Sequence, residues 1–133
     1  WWLDKHFSSK GLEPLADAVD GNKIKEIRIL LSRNSNIDFT KLRKDFIRFK
    51  QEMQNRGINA LCRIIIDKNV IKQIHGRWIL SENFCYKIPP INSIFMGQYD
   101  EITMTRNTPP FEMWWKEGKD ILEDWDEMSR LLQ

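Results

Sequence analysis

The stretch Asp38–Arg56 constrains the fold more than any other. Phe39, Leu42, Phe46, Phe49 and Met53 recur at spacings of three and four, which puts them on one face of an amphipathic helix. Asn34-Ser35-Asn36-Ile37-Asp38 supplies turn and capping residues before it, and Gly57 supplies a stop after it. Apolar runs bracket the helix. Ile24–Leu31 alternates early and turns apolar late, as a strand entering a buried sheet does. Ile58–Ile66 is apolar enough to be a strand covered on both faces. A sheet with strands of that kind needs helices on it, so the pattern predicts an α/β fold.

The remaining segments extend this order. Trp1–Leu3 reads as a strand that runs out at Asp4, and Gly11–Val19 as a short helix with Leu12, Leu15 and Val19 on one face, stopped by Gly21-Asn22. Val70–Leu80 reads as a strand, with Asn83–Ile88 pairing back on it as a hairpin until Pro89-Pro90. Ile91–Gln98 is a loop or short strand, and Tyr99–Thr105 a further strand. Thr108-Pro109-Pro110 opens a last helix from about Phe111 to Leu132. Strands alternate with helices early and form hairpins late. That order predicts a mixed β-sheet flanked by helices, since a purely parallel sheet needs another helix between residues 66 and 99.

The chain of 133 residues fits one domain, and it reads as a piece excised from a longer protein. A net charge of +2 is too small to argue for a polyanionic partner by itself. The two cysteines, Cys62 and Cys85, fall inside apolar runs and read as reduced core thiols. No cysteine and histidine spacing suits zinc, because His6 and His75 are the only histidines, and no metal or other cofactor is expected. With no signal peptide and no long apolar run, the expected compartment is the cytoplasm.

The chemistry concentrates in Ile74-His75-Gly76-Arg77-Trp78-Ile79-Leu80-Ser81-Glu82. On a strand, His75 and Arg77 point to the same face, and an imidazole beside a guanidinium suits phosphate. The spacing resembles the phospholipase D superfamily motif His-x-Lys-x4-Asp, with Arg77 at the lysine and Glu82 at the aspartate. The element order resembles one half of the phospholipase D fold across most of the chain. The family also carries an asparagine and small-residue cluster and a strand with a glutamate, to which Asn92, Ser93 and Glu101 correspond. The family's Gly-Ser pair has no counterpart, since Pro89-Pro90 lies near its place.

The resemblance implies phosphodiester chemistry through a phosphohistidine, without metal, from two motifs contributed by two halves or two identical chains. This chain has one motif, so a catalytic version is expected to be a homodimer. Arg77 and Glu82 keep the motif's charges and change its fit, because a guanidinium is wider than an ammonium and glutamate is longer than aspartate. The resemblance therefore implies a degenerate active site: His75, Arg77, Glu82 and Glu101 are the catalytic candidates, and His75, Arg77, Asn92 and Ser93 the phosphate-binding ones.

Elsewhere, Asp4 could orient a neighbour across the sheet, whereas His6 reads as a solvated loop residue. The Asp38–Arg56 helix is basic, and Lys41, Lys44 and Arg48 are its candidates for nucleic-acid binding, set against solvated intrahelical pairs such as Lys41–Asp45. The last segment is acidic, with Trp114, Trp115 and Trp125 interleaved. One buried stripe is expected there from Met113 or Trp114, Ile121, Trp125, Met128 and Leu132, leaving a tryptophan for a protein partner. The leading expectation is a phosphate-recognising, nucleic-acid-binding phospholipase D-like module. The alternatives are a metal-independent phosphodiesterase or nuclease active as a homodimer, and a protein-interaction or scaffolding domain.

Overall fold

The computed structural model describes residues 1–90 and 101–132. Its strands are β1 (Trp2–Asp4), β2 (Glu26–Ser32), β3 (Asn59–Ile65), β4 (Arg77–Leu80), β5 (Cys85–Lys87), β6 (Thr103–Met104) and β7 (Lys119–Asp120). Its helices are α1 (Leu12–Ala18), after a 3-10 turn at Ser9–Gly11, α2 (Phe39–Asn55), α3 (Lys68–Ile71), α4 (Phe111–Glu117) and α5 (Trp125–Leu131). The seven strands form one sheet in the order β6-β5-β4-β1-β2-β3-β7. β1, β2 and β3 run parallel, and β4, on the other side of β1, runs antiparallel to it. The expected α/β architecture with a mixed sheet is the observed one.

Alternation along the strands sends side chains into two apolar layers. Trp2, Ile27, Ile29, Leu31, Ala60, Cys62 and Ile64 face α1, α2 and α5. Leu3, Leu30, Ile65, Trp78 and Leu80 face α4 and the α3 segment. Helix α2 is the main cover of the first layer. Phe39, Leu42, Phe46, Phe49 and Met53 are all buried, at roughly 1.5–3 kcal/mol of transfer free energy each. Asp38 caps α2 by accepting the Lys41 amide at 3.0 Å. The helix ends in a Schellman turn, with Ile58 N–H donating to the Met53 carbonyl and Gly57 N–H to Gln54. Gly57 takes the left-handed φ of 77° that this turn requires.

Three expectations need correction. The Val70–Leu80 strand is shorter, because Asp67 accepts the amides of Asn69 and Val70 and caps a helical turn at Lys68–Ile71. Pairing begins only at Arg77, so His75 lies in the approach to β4 and not on the strand. The last helix is two helices. Gly118 is extended, which ends the helix, and the chain then pairs with β3 as β7, passing so close that a β-carbon on Gly118 would stand 2.8 Å from Cβ of Arg63. The amides of Leu122 and Glu123 then turn back onto the Asp120 carboxylate. The stripe expected on one helix is therefore divided, with Trp114 on one face of the sheet and Ile121, Trp125, Met128 and Leu132 on the other. Met113, a candidate for that stripe, is 55 % exposed. The strand expected at Tyr99–Thr105 comprises Thr103–Met104 among the described residues. The Ile91–Gln98 loop and the start of that strand lie outside them.

The thiols of Cys62 and Cys85 are free and buried, as expected, and burial pushes both upward. Trp114 and Trp115 are each 5 % exposed, which leaves neither free for a surface. Trp115 instead stacks on Phe111, with the guanidinium of Arg63 4.5 Å from its ring centre. Trp125, partly buried, has the Arg43 guanidinium 5.4 Å from its ring centre. Among the described residues no helix is long and apolar enough to cross a membrane.

Candidate functional site

Parallel strands β1 and β2 end side by side, and β4 begins beside the end of β1 in the opposite direction. Loops leaving such strand ends diverge, and α/β proteins collect ligand sites there. At this edge lies a cleft of about 500 Å³ lined by Asp4, His6, Ser8, Lys10, Asn34, Asn36, Ile37, Arg77 and Pro90. A smaller hollow of about 170 Å³ is lined by Lys5, His6, Ile74, His75, Gly76 and Arg77. His6 and Arg77 border both, so the two form one polar surface.

Asp4 organises this surface. It is the last residue of β1, pairs across the sheet with Arg77, and is only 1 % exposed. Its Oδ1 accepts the His6 amide at 2.8 Å and lies 3.2 Å from Nε of Arg77. One carboxylate thus fixes the backbone that carries His6 and the root of the Arg77 fork. Burial pushes the Asp4 carboxyl above the ordinary carboxylate range, against the opposing pull of the His6 amide and the Arg77 guanidinium. Among the described residues, the terminal guanidinium nitrogens of Arg77 have no protein partner, so they are open to an anion in the cleft.

The β2 end contributes a second device. Asn34 Oδ1 accepts the Asn36 amide at 2.9 Å, which fixes the orientation of its carboxamide. Its Nδ2 then lies 2.6 Å from Nδ1 of His6. An amide NH2 only donates, so Nδ1 accepts and the neutral ring carries its proton on Nε2. The Ile37 amide closes the same turn on the Asn34 carbonyl. Helix α2 starts just beyond, bringing the positive end of its dipole to this edge, partly offset by the Asp38 cap.

The predicted residues fall in different places. His75 and Arg77 share the small hollow. Glu82 does not join them. β4 carries the chain roughly 10 Å across the sheet from Arg77 to Leu80, and Glu82 lines an apolar groove at the opposite edge with Trp1, Trp2 and Phe84. Glu101 is exposed and leads into β6, two strands out from β4. Asn92 and Ser93 lie outside the described residues. Of the basic helix residues, Lys41 is paired with Asp45 at 2.9 Å, as one of the alternative pairings anticipates, while Lys44 and Arg48 are exposed. Lys41 and Arg48 flank a depression between α1 and α2 that also holds Glu13, Asp17, Asp45 and Glu52, so its charge is mixed.

Sequence reasoning took His6 for a solvated loop residue and Asn34 and Asn36 for turn material. The available signal was their position immediately after two strands expected to lie in one sheet. The sequence allowed Asp4 to orient a neighbour across the sheet, and it lies against Arg77. Among the described residues, no group of three His, Cys, Asp or Glu side chains is placed to hold a metal ion. Compared with protein-family models, curated proteins and solved structures, the chain matches none.

Proposed function

We propose that this chain recognises a phosphate-bearing ligand at the cleft around Arg77, with nucleic acid as the preferred class, and that its phospholipase D-like site is degenerate. The observation that carries the reading is the convergence of both histidines with Lys5, Lys10 and Arg77 on one surface at the strand ends. Arg77 is fastened through Nε and presents its outer nitrogens, which suits two-point recognition of phosphate oxygens. Lys5 and Lys10 add positive charge on either side. Ser8 and Asn36 can hydrogen-bond, and Ile37 and Pro90 offer an apolar wall for the organic part of a phosphate ester.

The reading of the site as phospholipase D-like draws on His75 and Arg77 lining one hollow. It is weakened by the position of Glu82, which leaves the motif without its carboxylate in the cleft. Recognition therefore fits better than turnover. The test is binding of short single-stranded oligonucleotides and of simple phosphate esters. His75→Ala, a change at an exposed position, and Arg77→Ala should each weaken both ligands by about tenfold or more. Unchanged affinity in both variants refutes the reading. Affinity for oligonucleotides should fall steeply with salt, because phosphate contacts release counterions.

A further inference from the structure

We infer that His6 is a second anion-binding group of this cleft, held by Asn34 as a fixed Nε2–H donor, so that one chain supplies both histidines of the site. The inference rests on the phosphate reading and extends it to the roles of the two rings. They arrive from different parts of the chain, His6 just past the end of β1 and His75 just before β4, and both line the small hollow together with Arg77. The pairing of Asp4 with Arg77 brings these two approaches together.

Their surroundings give the rings different chemistry. His6 is held twice, by its amide on Asp4 Oδ1 and by Nδ1 on Asn34 Nδ2. With the lone pair of Nδ1 engaged and the proton on Nε2, the neutral ring has no free lone pair with which to attack phosphorus or remove a proton. It can only donate a hydrogen bond. His75 is exposed, and among the described residues nothing fixes its ring. It alone keeps a nitrogen lone pair for nucleophilic or base chemistry. The ligand that fits is a phosphate ester whose oxygens take Nε2–H of His6 and the outer nitrogens of Arg77 while His75 approaches from the β4 side. A second copy of the chain is not needed to complete this arrangement.

The test combines ring spectroscopy with affinity. The chain is labelled with ¹⁵N at histidine, and its ring nitrogens are recorded at pH 8, where a free imidazole is neutral. Spectra are taken without and with inorganic phosphate, and affinities for phosphate and for a short oligothymidylate are measured by calorimetry. His6 should show an unprotonated Nδ1 and a protonated Nε2 before ligand is added, and Nε2 should shift on titration. His6→Ala and Asn34→Ala should each weaken phosphate binding by about tenfold, and His6→Gln, which keeps an N–H donor, should recover part of it. A His6 ring protonated on Nδ1 overturns the inference. So does unchanged affinity in His6→Ala while Arg77→Ala abolishes binding, an outcome that leaves the phosphate reading standing. If the unmodified chain binds neither probe, both readings fall together.

Discussion

The two edges of the sheet are built from the same strands and have opposite chemistry. At the edge where β1 and β2 end, a buried carboxylate, a guanidinium, two imidazoles and two carboxamides line a cleft and the hollow adjoining it. At the other edge, Trp1, Trp2, Leu15, Val19, Ile24, Ile79 and Phe84 line a groove of about 650 Å³ that is mainly apolar. The first edge places charge where burial opposes it, as the upward push on Asp4 records. The second adds apolar surface to the core. If the cleft recognises phosphate as proposed, stability and recognition lie at different edges, and substitutions should separate them.

The largest effect should come from the apolar edge. Trp2 is 9 % exposed and meets Phe7 edge-on at 5.1 Å. Trp2→Ala should destabilise the fold by about 3–5 kcal/mol in denaturant titrations, while the folded fraction keeps its affinity for phosphate. Next comes the ion pair. Arg77→Leu should cost about 3 kcal/mol, because it leaves the Asp4 charge buried without its partner, and should remove binding. Adding Asp4→Asn to that variant should restore most of the stability and none of the binding, which only a recognition role for the guanidinium explains.

Asp4→Asn alone should show its effect through pH. A carboxyl whose folded-state pKa is raised contributes stability below its unfolded pKa and loses it as pH rises through the folded value. The melting temperature of the variant, relative to the unmodified chain, should therefore rise as pH is taken from about 3 to 7. A flat difference would mean that Arg77 fully offsets the desolvation. The smallest effect should be at Glu82. Glu82→Gln should change stability by no more than about 0.5 kcal/mol and leave binding unaltered. Binding that fails in Glu82→Gln would join the two edges functionally and break the contrast.

What the sequence made legible follows from how local each cause is. Helix α2 was readable because its cap, its apolar spacing and its terminal Gly57 are contiguous. β3 was readable because Ala60, Cys62, Ile64 and Ile65 are buried and only Asn59 and Arg63 interrupt its apolar residues. The Lys68–Ile71 turn was hidden by apolar residues that suit a strand, and one Asp67 side chain decides the outcome locally. The close approach at Gly118 involves Arg63 and Leu30, which are distant in sequence. The cleft depends on register. Asp4 matters because it lies opposite Arg77, and Asn34 because β2 ends next to β1. The spacing of the histidine motif suggested convergence, whereas the extended backbone of β4 carries its carboxylate to the far edge.

The short strand β7 has a consequence for solubility. Lys119 and Asp120 occupy the open flank of β3, with Lys119 against Ile64 and Asp120 against Arg63. Without them, Arg63 and Ile64 would lose their ladder partners within a β-prone, largely apolar strand, extending a template for intermolecular pairing. A chain cut before Lys119 would expose that template, and the form of failure to look for is fibrillar self-association rather than simple unfolding.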